Sequence, residues 1–194
     1  MDLQLSKPIA VIAEIHDNVD ALMAVLADIQ THDVTTILHL GDHLSGPFAA
    51  AETADALLAI PMVNIRGNHD RYLTDLARDD MGPSDPVAFD QLSQTHLDWL
   101  RDLSAPRWVT DDIFMCHGTP DNNETFWLET VLPTGAVTLR DRAEIETTCA
   151  DISCGLILCA HTHTPCAVRV GTQLTINPSS VVLPAYDDTR PCIM

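Results

Sequence analysis

The sequence lacks any long hydrophobic run. None of its stretches approaches the ~18 apolar residues that a membrane-crossing helix needs, so no membrane association is expected of these 194 residues. The opening segment, "MDLQLSKPIAVIAEIH", also lacks the basic stretch, apolar core and small-residue cleavage site of a secretory signal, and it reads as mature protein. Basic residues are few: 10 Lys and Arg stand against 28 Asp and Glu, for a net charge of −18. Phosphate backbones would be repelled, so stable nucleic-acid binding is not expected. No two cysteines are spaced C-x-x-C, which argues against a zinc ribbon. The six cysteines (116, 149, 154, 159, 166 and 192) all lie in the second half. Without an export signal they read as reduced thiols of a cytoplasmic protein, mostly filling core. Cys192 has only two residues after it, too few for a prenylation box. No repeat, low-complexity segment or composition break divides the chain, so one domain over residues 1–194 is expected.

Apolar residues make up 46% of the chain, enough for a substantial core. "PIAVIA" (8–13), "VTTILHL" (34–40) and "MVNI" (62–65) are short runs of buried-strand type. Between the first two, Leu22, Val25, Leu26 and Ile29 recur at helical spacing, predicting a helix over 18–30. "AAAETADALLAI" is a second helix. This βαβαβ rhythm predicts parallel strands with right-handed crossovers. Residues 74–85 read as a loop, and Phe89, Leu92, His96, Leu100 and Leu103 mark one further helix. "IFMCH" (113–117) and "GLILCA" (155–160) are strands, with a helix near 139–150 between them. "CAVRV-GT-QLTIN" is a hairpin turning at Gly171-Thr172.

Each expected strand ends in potential ligands. The first leads to Glu14, His16 and Asp17, the second to Asp42 and His43, and the third to Asn68, His69 and Asp70. The fourth leads to His117, and the fifth to His161 and His163. Sites in open α/β sheets form at the carboxyl ends of strands, so these loops should converge on one rim. Imidazole and carboxylate without thiolate suit Mn, Fe, Zn, Co or Ni. The set is too large for one ion and sufficient for two that share a carboxylate, the arrangement that performs in-line displacement at phosphorus. Any one of these histidines alone would more often be structural; the argument rests on the ordered set.

Taken in order, "EIHDN", "GDHLSGP", "RGNHD", "MCHGTP", "AHTHTP" and "INPSS" resemble the calcineurin-like metallophosphoesterases, and most of all their small YfcE-like phosphodiesterase branch. The resemblance runs from about residue 8 to residue 189. It implies an α/β fold, a four-layer αββα sandwich of two mixed sheets with the active site at strand C-terminal ends. It implies two divalent transition metal ions, Mn foremost, with Fe, Zn, Ni or Co as alternatives. Glu14, His16, Asp42 and His163 would hold one ion; Asp42, Asn68, His117 and His161 would hold the other. The implied reaction is hydrolysis of a phosphodiester or a small organic phosphate, nucleotides included, by a water activated between the metals. His69 would donate a proton or contact the phosphate, Asp70 would orient His69, and Arg66 would contact the phosphate. His39 and His43 match no ligand of the family and read as structural or as supports just behind the ligands.

The sequence departs from that family at the same rim. Glu14 replaces an aspartate and adds a methylene, and Asp17 replaces a glycine and adds a charge or a ligand. Ala160 and Ser179 also occupy glycine positions, where Ala is expected to resist unusual backbone angles. The chain stops soon after "LPAYDDTRP", where relatives continue for several tens of residues, and a homo-oligomer could cover the resulting sheet edge. These departures keep a second expectation open, a metal-binding scaffold or regulatory protein on the same fold with little turnover. A Rossmann-type nucleotide binder is disfavoured, because no G-x-G-x-x-G follows the first strand. Phe126 and Trp127 are expected either to shape a substrate pocket or to pack.

Overall fold

The computed structural model describes residues 8–134 and 137–182. Cys192 and the expectation about the chain's short end lie outside those residues.

Strand β1 (Ile9–Ile12), helix α1 (Val19–Ile29), β2 (Thr36–His39), α2 (Ala50–Leu58) and β3 (Val63–Asn64) form the anticipated βαβαβ unit. The three strands pair in parallel in the order β1-β2-β3, with Ile9 opposite Thr36 and Leu38 opposite Val63. Helix α1 starts where Asn18 can cap it: the Asn18 side chain accepts the Ala21 N–H at 3.0 Å. It buries Leu22, Val25, Leu26 and Ile29, the one-face stripe that the sequence pattern predicts.

Three further helices follow, α3 (Asn68–Asp75), α4 (Asp85–Phe89) and α5 (Gln94–Asp102). "RGNHD" therefore opens a helix rather than a plain loop. The single helix expected across 89–103 is two helices. Ser93 breaks them by capping the second through the His96 N–H at 3.3 Å. Then come β4 (Arg107–Thr110), β5 (Ile113–Met115), β6 (Glu129–Val131), β7 (Val137–Leu139), α6 (Arg142–Thr148), β8 (Leu156–Leu158), β9 (Cys166–Val170) and β10 (Gln173–Asn177). Five of these strands form a mixed sheet in the order β4-β5-β8-β10-β9, and β6 pairs with β7 separately. The β9–β10 hairpin turns through Gly171 at φ +58°, a left-handed position that suits glycine.

Side-chain alternation sets the layers. In β1, Ala10 and Ile12 join the core under α1 to α5, whereas Ile9 and Val11 face the second sheet. In β5 and β8, Ile113, Met115, Leu156 and Leu158 face the first sheet, while Phe114, Cys116, Ile157 and Cys159 face Ile145 of α6. Period-two alternation thus gives each sheet two apolar faces. The result is helices, sheet, sheet, helix: the αββα order. The five-stranded sheet is mixed. The three-stranded sheet, among the described residues, pairs only in parallel. All five described cysteines are free, and Cys116, Cys149 and Cys159 are buried, in line with a core-filling role.

Candidate metal centre

Strands β1, β2, β3, β5 and β8 all deliver their carboxyl ends to one rim, where cross-loop backbone bonds lock the connections. Glu14 N–H donates to Gly41 C=O at 3.1 Å, and the Ile15 and His16 N–H groups share Asp42 C=O at 3.0 and 3.2 Å. Ala160 N–H donates to His117 C=O at 2.7 Å. This lacing imposes an unusual backbone. Glu14, His16, Asp17, Asp42, His161, His163 and Ser179 all sit at positive φ, between 43° and 75°. Non-glycine residues avoid that region, and such strain clusters at functional sites. Five of these seven are ligands expected from the sequence.

Two ligand groups result. Glu14, His16 and His163 bring donor atoms within 4.8 Å of one another, and so do Asp42, His117 and His161. Glu14 is fully buried. Its carboxylate lies 3.1 Å from His16 Nε2 and 3.2 Å from His163 Nε2, and it accepts the His161 N–H at 2.7 Å. Asp42 lies between the groups, 3.9 Å from His16 Nε2 and 3.4 Å from His117 Nε2. Asn68 Oδ1 is 2.9 Å from His117 Nε2. The extra methylene of Glu14 is accommodated, and its longer reach lets the carboxylate meet both halves of the site.

The outer hydrogen bonds of the donor set suit a bound cation. His16 Nδ1 donates to Ser45 C=O at 2.6 Å, His117 Nδ1 to Leu40 C=O at 2.7 Å, and His161 Nε2 to Glu124 C=O at 3.0 Å. Each carbonyl fixes one nitrogen as a donor and leaves the other as the lone-pair atom, the outer arrangement typical of metal-ligating histidines. Electrostatics point the same way. Burial opposes charge on His16 and His117, but Glu14 and Asp42 overcome it and raise them to about 9 and about 10. Burial also pushes Glu14 up, yet His117, His16 and His163 hold it well below the usual carboxylate range. Without a cation, the two buried carboxylates hold protons on their neighbours. The residues present therefore fit divalent cations.

Other expectations are corrected. Asp70 does not orient His69. Its buried carboxylate takes the Asp42, His43 and Gly67 N–H groups, each at 2.9 Å, and His43 Nδ1 at 2.8 Å. Burial raises the Asp70 carboxyl, but His43 and those amides hold it far below its ordinary value. It ties the Asp42 loop to the start of α3. His69 Nδ1 instead meets Asp85 Oδ1 at 2.8 Å and Ser45 Oγ at 3.0 Å. Arg66 does not reach the ligand groups in the described contacts: its guanidinium bonds Thr74 and lies 2.6 Å from Asp75. Asp17 is in neither ligand group. It is buried and accepts the Phe48 N–H at 3.1 Å, bracing the 45–48 loop. Ala160 is unstrained, because the left-handed angle falls on His161, and its side chain packs between the sheets. Ser179 does sit at φ 75°, and its hydroxyl braces His163 C=O at 2.8 Å. His39 and His43 are buried and structural; burial and His43 push His39 well down. Trp127 packs in the core, whereas the Phe126 ring stands edge-on to His161 at 5.1 Å.

Two cavities flank the ligands. One, of ≈ 490 Å³, is lined by residues including Arg66, Arg71, His117, Asn123 and Glu124. The other, of ≈ 350 Å³, has His16, Ser45, Phe48, His69, Ser84 and His163 on its wall. Ser45, Asp85, Arg71 and Glu124 were missed as site residues in the sequence. Only the SGP and GPSD turns hinted at the first two.

Comparison with known proteins shows the family. The profile of the calcineurin-like phosphoesterase superfamily domain matches residues 8–194. No curated protein matches the chain. Among solved structures, a metallophosphoesterase from Sphaerobacter thermophilus superposes with a TM-score of 0.74 at 23% identity, covering 94% of this chain and 80% of its own. YfcE, a phosphoesterase from E. coli, gives 0.52 at 18% identity, with 93% and 83% covered. A Vps29 protein from Entamoeba histolytica gives 0.54 at 19%, with 96% and 83% covered. At such identities the superpositions speak to the fold; the profile match establishes the family. The chain belongs to the calcineurin-like phosphoesterase superfamily.

Proposed function

We propose that this calcineurin-like phosphoesterase domain is a hydrolase that cleaves a phosphodiester or small organic phosphate at the rim described above, acting as one domain. The observation that carries the reading is the backbone strain: five of the proposed ligands are held at positive φ in two adjacent groups joined by Asp42. Strain of that kind costs of order 1–3 kcal/mol per residue and clusters at functional sites. Glu14, His16, Asp42 and His163 would hold one divalent cation, and Asp42, Asn68, His117 and His161 the other, Mn²⁺ foremost. Bound there, the pair would supply an activated water and neutralise charge on the phosphoryl oxygens.

The chain's own residues do the rest. The carbonyls of Leu40, Ser45 and Glu124 hold three imidazoles in fixed orientation. Asp70 fixes the Asp42 loop to α3. His69 stands on the cavity wall beside His16, ring centroids 5.4 Å apart, placed to donate a proton to the departing oxygen. The five cysteines among the described residues are free, which suits a reducing compartment and supports a cytoplasmic setting. No described helix is long and apolar enough to cross a membrane.

The test is to purify the protein with and without Mn²⁺, count metal per chain, and assay a chromogenic phosphodiester and a monoester. About two ions per chain with metal-dependent turnover is the expected result. Metal bound without turnover would instead favour the scaffold role, and no metal bound would refute the site.

A further inference from the structure

We propose that Asp85, seconded by Ser45, is the positioning residue that turns His69 into a proton donor aimed at the ≈ 350 Å³ cavity, and that the site is thereby built for phosphate esters of aliphatic alcohols. This rests on the phosphoesterase reading. It goes beyond it by assigning a residue outside the family motifs and a class of leaving group.

Asp85 begins α4 and is 1% exposed. Its helix is anchored in the helical core through Ala88. Its Oδ1 lies 2.8 Å from His69 Nδ1 and accepts the Ser45 hydroxyl at 2.5 Å, and Ser84 Oγ stands 3.2 Å behind Ser45. A carboxylate can only accept, so Nδ1 carries the hydrogen, and Nε2 projects from the opposite side of the ring. That ring is boxed edge-on by His16 and Tyr72 at 5.4 and 5.3 Å. The His69 backbone N–H is tied to Asp42 Oδ1 at 2.9 Å. Its orientation is therefore set from three directions. Only Nε2 has no partner among the described hydrogen bonds, on a side chain 30% exposed.

The chemistry balances simply. A water oxygen forms the new P–O bond and loses a proton to solvent. The old P–O bond breaks with its electron pair left on the alcohol oxygen. That oxygen takes the Nε2 proton, and His69 remains neutral with its Nδ1–H on Asp85 until solvent reprotonates it. A nitrophenolate leaves without such help, whereas an alkoxide does not. The device is of most use when the leaving group is a poor one, as an aliphatic alcohol is.

The test compares wild type with Asp85→Asn on a methyl phosphodiester and on its p-nitrophenyl counterpart, with metal content measured alongside. Imidazole ¹⁵N NMR, assigned with His69→Gln, reads the ring directly. The expected result is a loss of ~10²-fold or more on the methyl ester, with a loss at least ~10-fold smaller on the nitrophenyl ester, the range of general-acid catalysis. Metal content should hold and the His69 tautomer should change. Ser45→Ala should show a weaker change of the same pattern, and it serves if Asp85→Asn does not fold. Equal losses on both esters, or a His69 ring unmoved by Asp85→Asn, would overturn the proposal. If wild type cleaves neither ester, the phosphoesterase reading fails, and the NMR arm still decides whether Asp85 sets the ring.

Discussion

Replacing Glu14 by aspartate, the residue usual in the family, should damage this protein. The Glu14 carboxylate reaches three partners: the His161 amide at 2.7 Å, His16 at 3.1 Å and His163 at 3.2 Å. Aspartate withdraws it by one C–C bond, about 1.5 Å, which stretches these contacts past hydrogen-bond range. The backbone cannot follow, because Glu14 N–H is bonded to Gly41 at 3.1 Å and its C=O accepts the Ser180 hydroxyl at 3.0 Å. Bonds to a charged group contribute about 1.5–3 kcal/mol each, and breaking a buried charged network costs roughly 3–5 kcal/mol. We expect a loss of about 3–5 kcal/mol in metal-free protein. With a urea m-value of about 2.5 kcal/mol/M, the midpoint should fall by roughly 1–2 M. The melting temperature should fall by roughly 6–20 °C for a chain of this size. The assay is urea unfolding in chelator, so that metal affinity does not enter. An unchanged or raised midpoint would show that the carboxylate is not held as described, and would refute the account of how the longer side chain fits.

Three further outcomes can be checked by melting curves. A Cβ on Gly67 would lie 2.5 Å from the Asp42 nitrogen, so Gly67→Ala should cost about 1–3 kcal/mol by overpacking and weaken metal binding. Gly171→Ala, with nothing within 4 Å, should cost only the left-handed backbone term and leave metal binding intact. Burial raises the Glu129 carboxyl pKa, against weaker opposing contributions from Thr162 and Cys166. The native state then binds that proton more tightly than the unfolded chain, so stability falls as pH rises through the native value. Glu129→Gln should therefore melt higher than wild type at pH 8, with the gap closing by pH 4; a gap of equal size at both would contradict this.

The strand-end candidate ligands were legible because each is local: an apolar run, then a turn with its candidate two to five residues on. The hairpin was legible for the same reason. What failed depended on contacts distant in sequence. His69 and Asp85 are 16 residues apart, and a neighbouring acid, Asp70, offered itself as the obvious partner. Only packing shows that Asp70 is consumed by three amides and His43. The Ala160 inference failed because the chain takes its left-handed turn one residue later, at His161. Strands β4, β6 and β7 escaped because they are short, half-polar edge segments, stabilised by pairing rather than by propensity.

The bond between Glu14 and the His161 amide joins residues 147 apart. During synthesis at ~5–20 residues per second, roughly 7–30 s separate the emergence of these two partners. In that interval the parallel sheet can form, but its acidic and imidazole ends have nothing to close against. A chain halted before β8 would keep the first sheet and have no complete site. Ion capture at the proposed site would thus be a signal of completion, given only by a polypeptide whose two sheets have both been made and joined.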